Sequence, residues 1–116
     1  MNESIINETI NNIFSLIGSP NQLKVMIGAK DFCKGMYGEK YNCPGISFKF
    51  KMSKQYNFCK ISLNPLDLYD LELGKIRKFE YTNQVILDNI YFDNLRSIFS
   101  DKTGLSLSCP IISRNT

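Results

Sequence analysis

Residues 46–52 alternate without a break: Ile46, Phe48, Phe50 and Met52 fall on one side, Ser47, Lys49 and Lys51 on the other. A period of two with large apolar groups on one side is the mark of a half-buried strand. A second run, residues 57–63 with Cys59, Ile61 and Leu63 on one side, follows after only a short gap. Parallel pairing needs a crossover of a dozen or more residues, so these two runs are expected to pair antiparallel. The rest of the chain must then build onto a sheet with one apolar face.

On the N-terminal side, Ile6, Ile10, Ile13, Phe14 and Ile17 recur at helical spacing and predict an amphipathic helix over 3–17. Asn2 or Ser4 can cap it, and Gly18-Ser19-Pro20 reads as its stop. Residues 23–28 (LKVMIG) read as a strand, and 33–45 as a loop carrying Gly35, Gly38, Pro44 and Gly45. Beyond 57–63, Asn64-Pro65-Leu66-Asp67 reads as a turn, since proline at the second position presets φ. Strands are expected over 68–77, bulged at Gly74, and over 79–87. A helix near 89–102 would be capped by Asp88 or Asn89 and stopped at Gly104. Its stripe is Tyr91, Leu95, Ile98 and Phe99. The expected fold is α+β: an antiparallel meander of four to five strands flanked by an N-terminal and a C-terminal helix. Both helices should cover one face of the sheet and leave the other available. Phe14, Met26, Phe48, Phe50, Ile61, Leu71, Leu95 and Phe99 are the expected core.

At 116 residues and 43% hydrophobic content, residues 1–116 are expected to form a single small domain. No apolar run approaches the length needed to span a bilayer, and no basic-then-apolar secretory signal opens the chain. There is no histidine, which removes Ser-His-Asp and Cys-His catalysis and every histidine-containing metal site. Cys33, Cys43, Cys59 and Cys109 form no C-x-x-C pair. Reduced thiols are the expectation, with a Cys33–Cys43 disulfide or a four-cysteine zinc site as alternatives. No glycine pattern fits a P-loop or a dinucleotide fingerprint, so no cofactor is expected.

The net charge of +3 is unevenly spread. Residues 23–60 carry eight lysines against Asp31 and Glu39, whereas residues 61–80 come out slightly acidic. Lys49, Lys51 and Lys60 with Tyr56 and Phe58 suggest a lysine and aromatic patch suited to RNA or single-stranded DNA. Lysines also simply blunt an exposed sheet. Met36, Tyr37 and Tyr41 lie in the glycine-containing segment and suggest a protein-binding loop. Asp67, Asp70 and Glu72 form a carboxylate group that could hold Mg²⁺ with phosphate help, or simply be solvated. The helix–sheet–helix order is similar to that of a double-stranded-RNA-binding domain. Asn89 to Phe92, however, open the last helix without the basic cluster that family places there.

Two stretches carry a further resemblance. One is Val25-Met26-Ile27-Gly28-Ala29-Lys30-Asp31-Phe32. The other is Ile61 through Asp67-Leu68-Tyr69-Asp70-Leu71-Glu72, continuing by Ile76-Arg77 to Tyr91-Phe92-Asp93-Asn94-Leu95-Arg96, Phe99 and Thr103-Gly104-Leu105. The chain resembles a diffuse family of short, uncharacterised bacteriophage and mobile-element proteins. That resemblance implies a location in the host-cell cytoplasm and supplies no catalytic residue. The leading expectation is a non-enzymatic accessory protein that binds and modulates or inhibits a host protein, such as an anti-CRISPR or other anti-defence factor acting on a defence or CRISPR effector. The alternative is an RNA- or single-stranded-DNA-binding module, and a metal-dependent enzyme on Asp67, Asp70 and Glu72 ranks last.

Overall fold

A computed structural model describes residues 3–37, 43–51, 53–105 and 107. The described chain runs α1 (Glu3–Ile17), α2 (Pro20–Ile27), β1 (Lys30–Tyr37), β2 (Cys43–Lys49), β3 (Phe58–Leu63), β4 (Tyr69–Arg77) and β5 (Glu80–Ile90). A 3-10 turn (Phe92–Asn94) then leads into α3 (Leu95–Thr103). The five strands form one antiparallel sheet in the order β1-β2-β3-β4-β5, so order in space repeats order in sequence. The α+β meander with a helix from each end is thus the observed architecture.

Register explains which face is apolar. Ile46 lies opposite Ile61, Phe48 opposite Cys59, Ile61 opposite Leu71 and Cys59 opposite Leu73. All six are nearly or fully buried and share one core with Ile10, Ile13 and Ile17 of α1, Leu23 and Ile27 of α2, and Leu95 and Phe99 of α3. A file of rings ties the layers together: Phe14 to Phe32, Phe32 to Phe48, Phe48 to Phe50 and Phe50 to Phe99, with centroids 5.3–6.2 Å apart. Such contacts add about 0.5–1.5 kcal/mol each beyond area burial. Of the expected core, Phe48, Phe50, Ile61, Leu71, Leu95 and Phe99 are buried, while Phe14 and Met26 are half-buried against it.

Several expectations are corrected. Residues 23–28 are the end of a helix, not a strand. The stop expected at Gly18-Ser19-Pro20 does end α1 at Ile17, and Pro20 then opens α2 at its first position, where its missing N–H costs nothing. Ser19 and Gln22 form a reciprocal capping box, the Ser19 hydroxyl accepting from the Gln22 N–H and the Gln22 side chain accepting from the Ser19 N–H. Leu23 and Ile27, four apart, face the core, and Val25 is 82% exposed. Gly28 closes the helix at φ 68°, and the Lys51 N–H donates to the Ile27 carbonyl just beyond.

The second correction concerns residues 33–45, read as a loop. Most of that segment is strand: β1 extends to Tyr37 and β2 begins at Cys43. Gly35 and Gly45 lie directly opposite each other, and a Cβ on Gly45 would stand 2.2 Å from the Ile61 carbonyl oxygen. The glycine is there for close approach of the strands, a use of Gly that mimics a loop signal. The last helix is also shorter than expected. Asn89 belongs to β5 and the N-cap position of α3 falls to Asn94, with Gly104 as the C-cap. The bulge expected at Gly74 on β4 lies instead on the strand opposite: between Leu73 and Lys75 the register shifts by one extra residue of β5, at Asn83-Gln84, with Asn83 at φ 57°.

Candidate functional site

The sheet face turned away from the helices carries Tyr37, Ser47, Lys49, Phe58, Lys60, Ser62, Asp70, Glu72, Gln84, Ile86 and Asp88, and none of the helices packs over it. Across its middle runs an open groove of about 870 Å³, lined by Tyr37, Lys60, Leu66, Glu72, Ile86 and Asp88 among others.

Glu72 organises one part of the floor. Its Oε2 accepts from the Tyr81 hydroxyl at 2.6 Å and from the Gln84 amide at 3.0 Å, and its Oε1 pairs with Lys60 Nζ at 3.2 Å. Burial pushes the carboxyl up, but these two hydrogen bonds and the Lys60 charge outweigh it and leave Glu72 below the usual carboxylate range. Burial, and then the hydrogen bond to Glu72 and its charge, push Tyr81 far above the usual tyrosine range. Tyr81 also sets its ring on Gly74, where any Cβ would collide with it, and meets Phe58 edge-on at 5.7 Å. Lys60 lies 5.1 Å from the centroid of the Tyr37 ring, within cation–π range.

Asn64 organises the end of the groove. Its carbonyl oxygen accepts from the Leu66 and Leu68 N–H groups, an Asx-type closure of the 64–68 turn. Its amide donates to Asp70 and Asn89, and Asp70 also accepts from the Asn89 N–H. Leu66 (69%) and Ile86 (55%) stay exposed at the rim.

The residues singled out in sequence are distributed as follows. Met36 and Tyr37 are neighbours on β1 and therefore point to opposite faces; Tyr37 lines the groove, and Met36, 37% exposed, does not. Tyr41 lies outside the described residues, as does Cys109. Lys60 and Phe58 are on the open face, joined by Tyr37 rather than by Tyr56, which is buried in the core at 8% exposure. Lys49 is on that face and pairs with Asp31 at 3.8 Å, while Lys51 lies past the end of β2 with its stem against Gly28. Lys49 and Lys60, the two lysines of the open face, are thus each matched with an acid. Asp70 and Glu72 share the open face and Asp67 sits in the turn at φ 61°. Among the described residues no group of three or more Cys, Asp or Glu is arranged to hold a metal ion.

Cys33 pairs in register with Ser47, and Cys43 with Tyr37, so the two cysteines are offset by four residues along the ladder. At about 3.3 Å per residue that is roughly 13 Å, beyond the reach of a disulfide. Burial, and secondarily the Glu72 charge, push the Cys59 thiol well up; burial and the Asp70 charge raise Cys43.

The β4–β5 hairpin was expected from the sequence, but its tip was not singled out as a candidate site. Lys78 and Phe79 are its two-residue tip, with Arg77 opposite Glu80, and Phe79 is fully exposed. The signal was present as Lys75-x-Arg77-Lys78-Phe79, but the acids at 67, 70, 72 and 80 cancelled it in the charge count. No helix of the described residues is long and apolar enough to cross a membrane. Comparison with known protein families, characterised proteins and solved structures gives no match.

Proposed function

We propose that the protein is a non-enzymatic binding module that docks a protein partner on the open face of its sheet. The observation that carries the reading is the groove itself. It lies on an uncovered face, its floor is held by the Glu72 and Asn64 networks, and it exposes Leu66 and Ile86 beside Tyr37. Preformed floors with aromatic and apolar contacts suit protein recognition. The free edges suit it less. β1 carries Lys30 and Lys34 and is bulged near Asp31, and β5 is bulged twice, between Thr82 and Val85 and between Leu87 and Ile90. Glu72 is held as an anion by three partners, the role of a structural acceptor rather than of an acid–base group poised near neutrality. Asp70, Glu72 and Asp88 outnumber Lys60 in the groove, which favours a partner segment bearing lysine or arginine over a phosphate backbone. On the phage-like resemblance, that partner is a host protein, with defence proteins such as CRISPR effectors the first to try, and the site of action is the host cytoplasm.

The test is capture of host proteins on the immobilised chain, compared with Ile86→Glu and Tyr37→Ala variants shown to be folded. A protein retained by the parent and lost by both variants supports the reading. A protein retained equally by all three overturns the open face as its binding site.

A further inference from the structure

The hairpin tip between β4 and β5 is made of residues poorly suited to a tip. Lys78 sits at φ 55°. Every other described residue at positive φ is Gly, Asn or Asp, the types that adopt it with least strain. Phe79 beside it is entirely in solvent, the most exposed of the large apolar side chains. Neither residue serves the turn or the core, so the pair is explained by what it presents outward.

Four cations belong to the hairpin and the segment beside it. Arg77 and Lys78 lead into the ring, with Glu80 following it, and Lys75 lies two residues before Arg77 on β4. The Lys54 backbone is held against β4 by the Lys75 ammonium, which donates to its carbonyl at 2.9 Å. The 53–57 segment is pinned there by Asn57, whose amide donates to the Ile76 carbonyl and whose carbonyl accepts from the Ile76 N–H, both at 2.7 Å. Glu80 is the register partner of Arg77, yet among the described residues ion pairs form only at Lys49–Asp31 and Lys60–Glu72. These four cations are therefore not matched with acids, unlike the lysines of the open face.

We infer that the β4–β5 hairpin is a binding site for single-stranded nucleic acid, with Phe79 stacking on a base and Lys54, Lys75, Arg77 and Lys78 meeting the phosphates. An unpaired strand offers both a π-face and closely spaced phosphates, the two features the tip matches. A bilayer would need more apolar area than one ring to hold the tip, since interfacial binding scales with buried apolar surface. The hairpin lies at the other end of β4 from the acidic end of the groove. From Asp70 to Arg77 is roughly 20 Å of strand, so the two sites do not overlap.

The chain has no tryptophan, so Phe79→Trp installs a single reporter at the tip. Its fluorescence would be titrated with short oligo-dT, oligo-U and oligo-A strands, and separately with phosphatidylserine vesicles, over a range of salt. The expected result is quenching by the oligonucleotides, with log K falling against log salt at a slope of about −2 to −3 for three to four phosphates. Comparing the dT and U strands separates a DNA ligand from an RNA one. With the parent chain and labelled oligonucleotide, Phe79→Ala is expected to weaken binding about 5- to 150-fold, the range of one lost stacking contact. Lys78→Gln is expected to lower the slope by about 0.7, and Lys49→Gln to leave it unchanged. Phe79 touches no core residue, so thermal melts of its variants should match the parent. Three results would overturn the inference: no oligonucleotide binding at about 50 mM salt, equal binding by Phe79→Ala, or binding to vesicles alone.

Discussion

Replacing Gly45 by alanine tests the closest approach of a neighbouring backbone to any described glycine. The added Cβ would stand 2.2 Å from the Ile61 carbonyl oxygen, 2.7 Å from Ser62 Cα and 2.9 Å from Ser62 Cβ. Carbon contacts are comfortable at about 3.5–4.0 Å, so β2 and β3 must part by at least about 1 Å. Strands pair about 4.8 Å apart, and an added ångström there breaks the ladder bonds at the Gly45–Ser62 end. Overpacking costs about 1–3 kcal/mol and each lost hydrogen bond about 1 more, for a total of about 3–5 kcal/mol. At about 4 °C per kcal/mol for a domain of this size, Tm should fall by about 12–20 °C. Two further glycines calibrate the result under the same thermal melt. A Cβ on Gly104 meets nothing within 4 Å, so Gly104→Ala carries only the strain of φ 76°, about 1–2 kcal/mol. A Cβ on Gly35 makes ordinary contact with Tyr37 at 3.5 Å, so Gly35→Ala should stay within about 1 kcal/mol of the parent. A Gly45→Ala protein melting within about 4 °C of the parent would refute the β2–β3 register and the strand assignment of residues 43–45.

Leu71→Ala removes a fully buried side chain at the centre of the sheet and should cost about 2–5 kcal/mol by denaturant unfolding. Glu72 titrates below its ordinary value of 4.5 in the folded chain, so its contribution is present above about pH 4.5 and is lost as pH falls through the folded value. Stability measured against pH should therefore decline on the acid side, and less steeply in Glu72→Gln. Tyr81 shifts the other way: its contribution is full below pH 10 and is lost as pH rises further, and the alkaline decline should be smaller in Tyr81→Phe, the remainder coming from the raised Tyr69 and Cys59. Among the described cysteines, Cys33 should react with a thiol reagent at once, whereas Cys59 should react only on unfolding, as read by mass spectrometry over time.

The strands with strict alternation were legible because their period is also their burial pattern; residues 46–49 and 58–63 needed no tertiary information. The helix at 20–27 was not, because its apolar residues are as common in strands and its proline carries opposite meanings at a helix start and after a helix end. The Ser19-x-x-Gln22 spacing was the available signal. The strands around Gly35 and Gly45 were hidden for a different reason, since their glycines answer to a neighbouring backbone that the sequence does not name. Of the open face, Lys60 and Phe58 were found, as they alternate with the core residues. Their true neighbours Glu72, Tyr81 and Gln84 come from the next two strands, and the last two are placed by a β5 bulge at Asn83-Gln84 that no local pattern announces. Tyr56 illustrates the converse: its ring falls in the core because residues 53–57 turn inward, a path no local pattern predicts.

The meander has a consequence for how the chain is made. Each strand emerging from the ribosome finds its partner already synthesised, so the sheet can zip in the order of translation, with short loops to close. The helical layer cannot. Arg96 Nε donates to the Leu16 carbonyl across eighty residues, and Leu95 and Phe99 complete the core that Ile13 and Ile17 begin. The first helix to be made thus waits for the last, and a nascent chain halted before α3 holds a sheet whose apolar face is only partly roofed. Ribosome-stalled chains ending near residue 90 should be sensitive to protease in α1, and those extended past residue 107 with room to leave the exit tunnel should be protected.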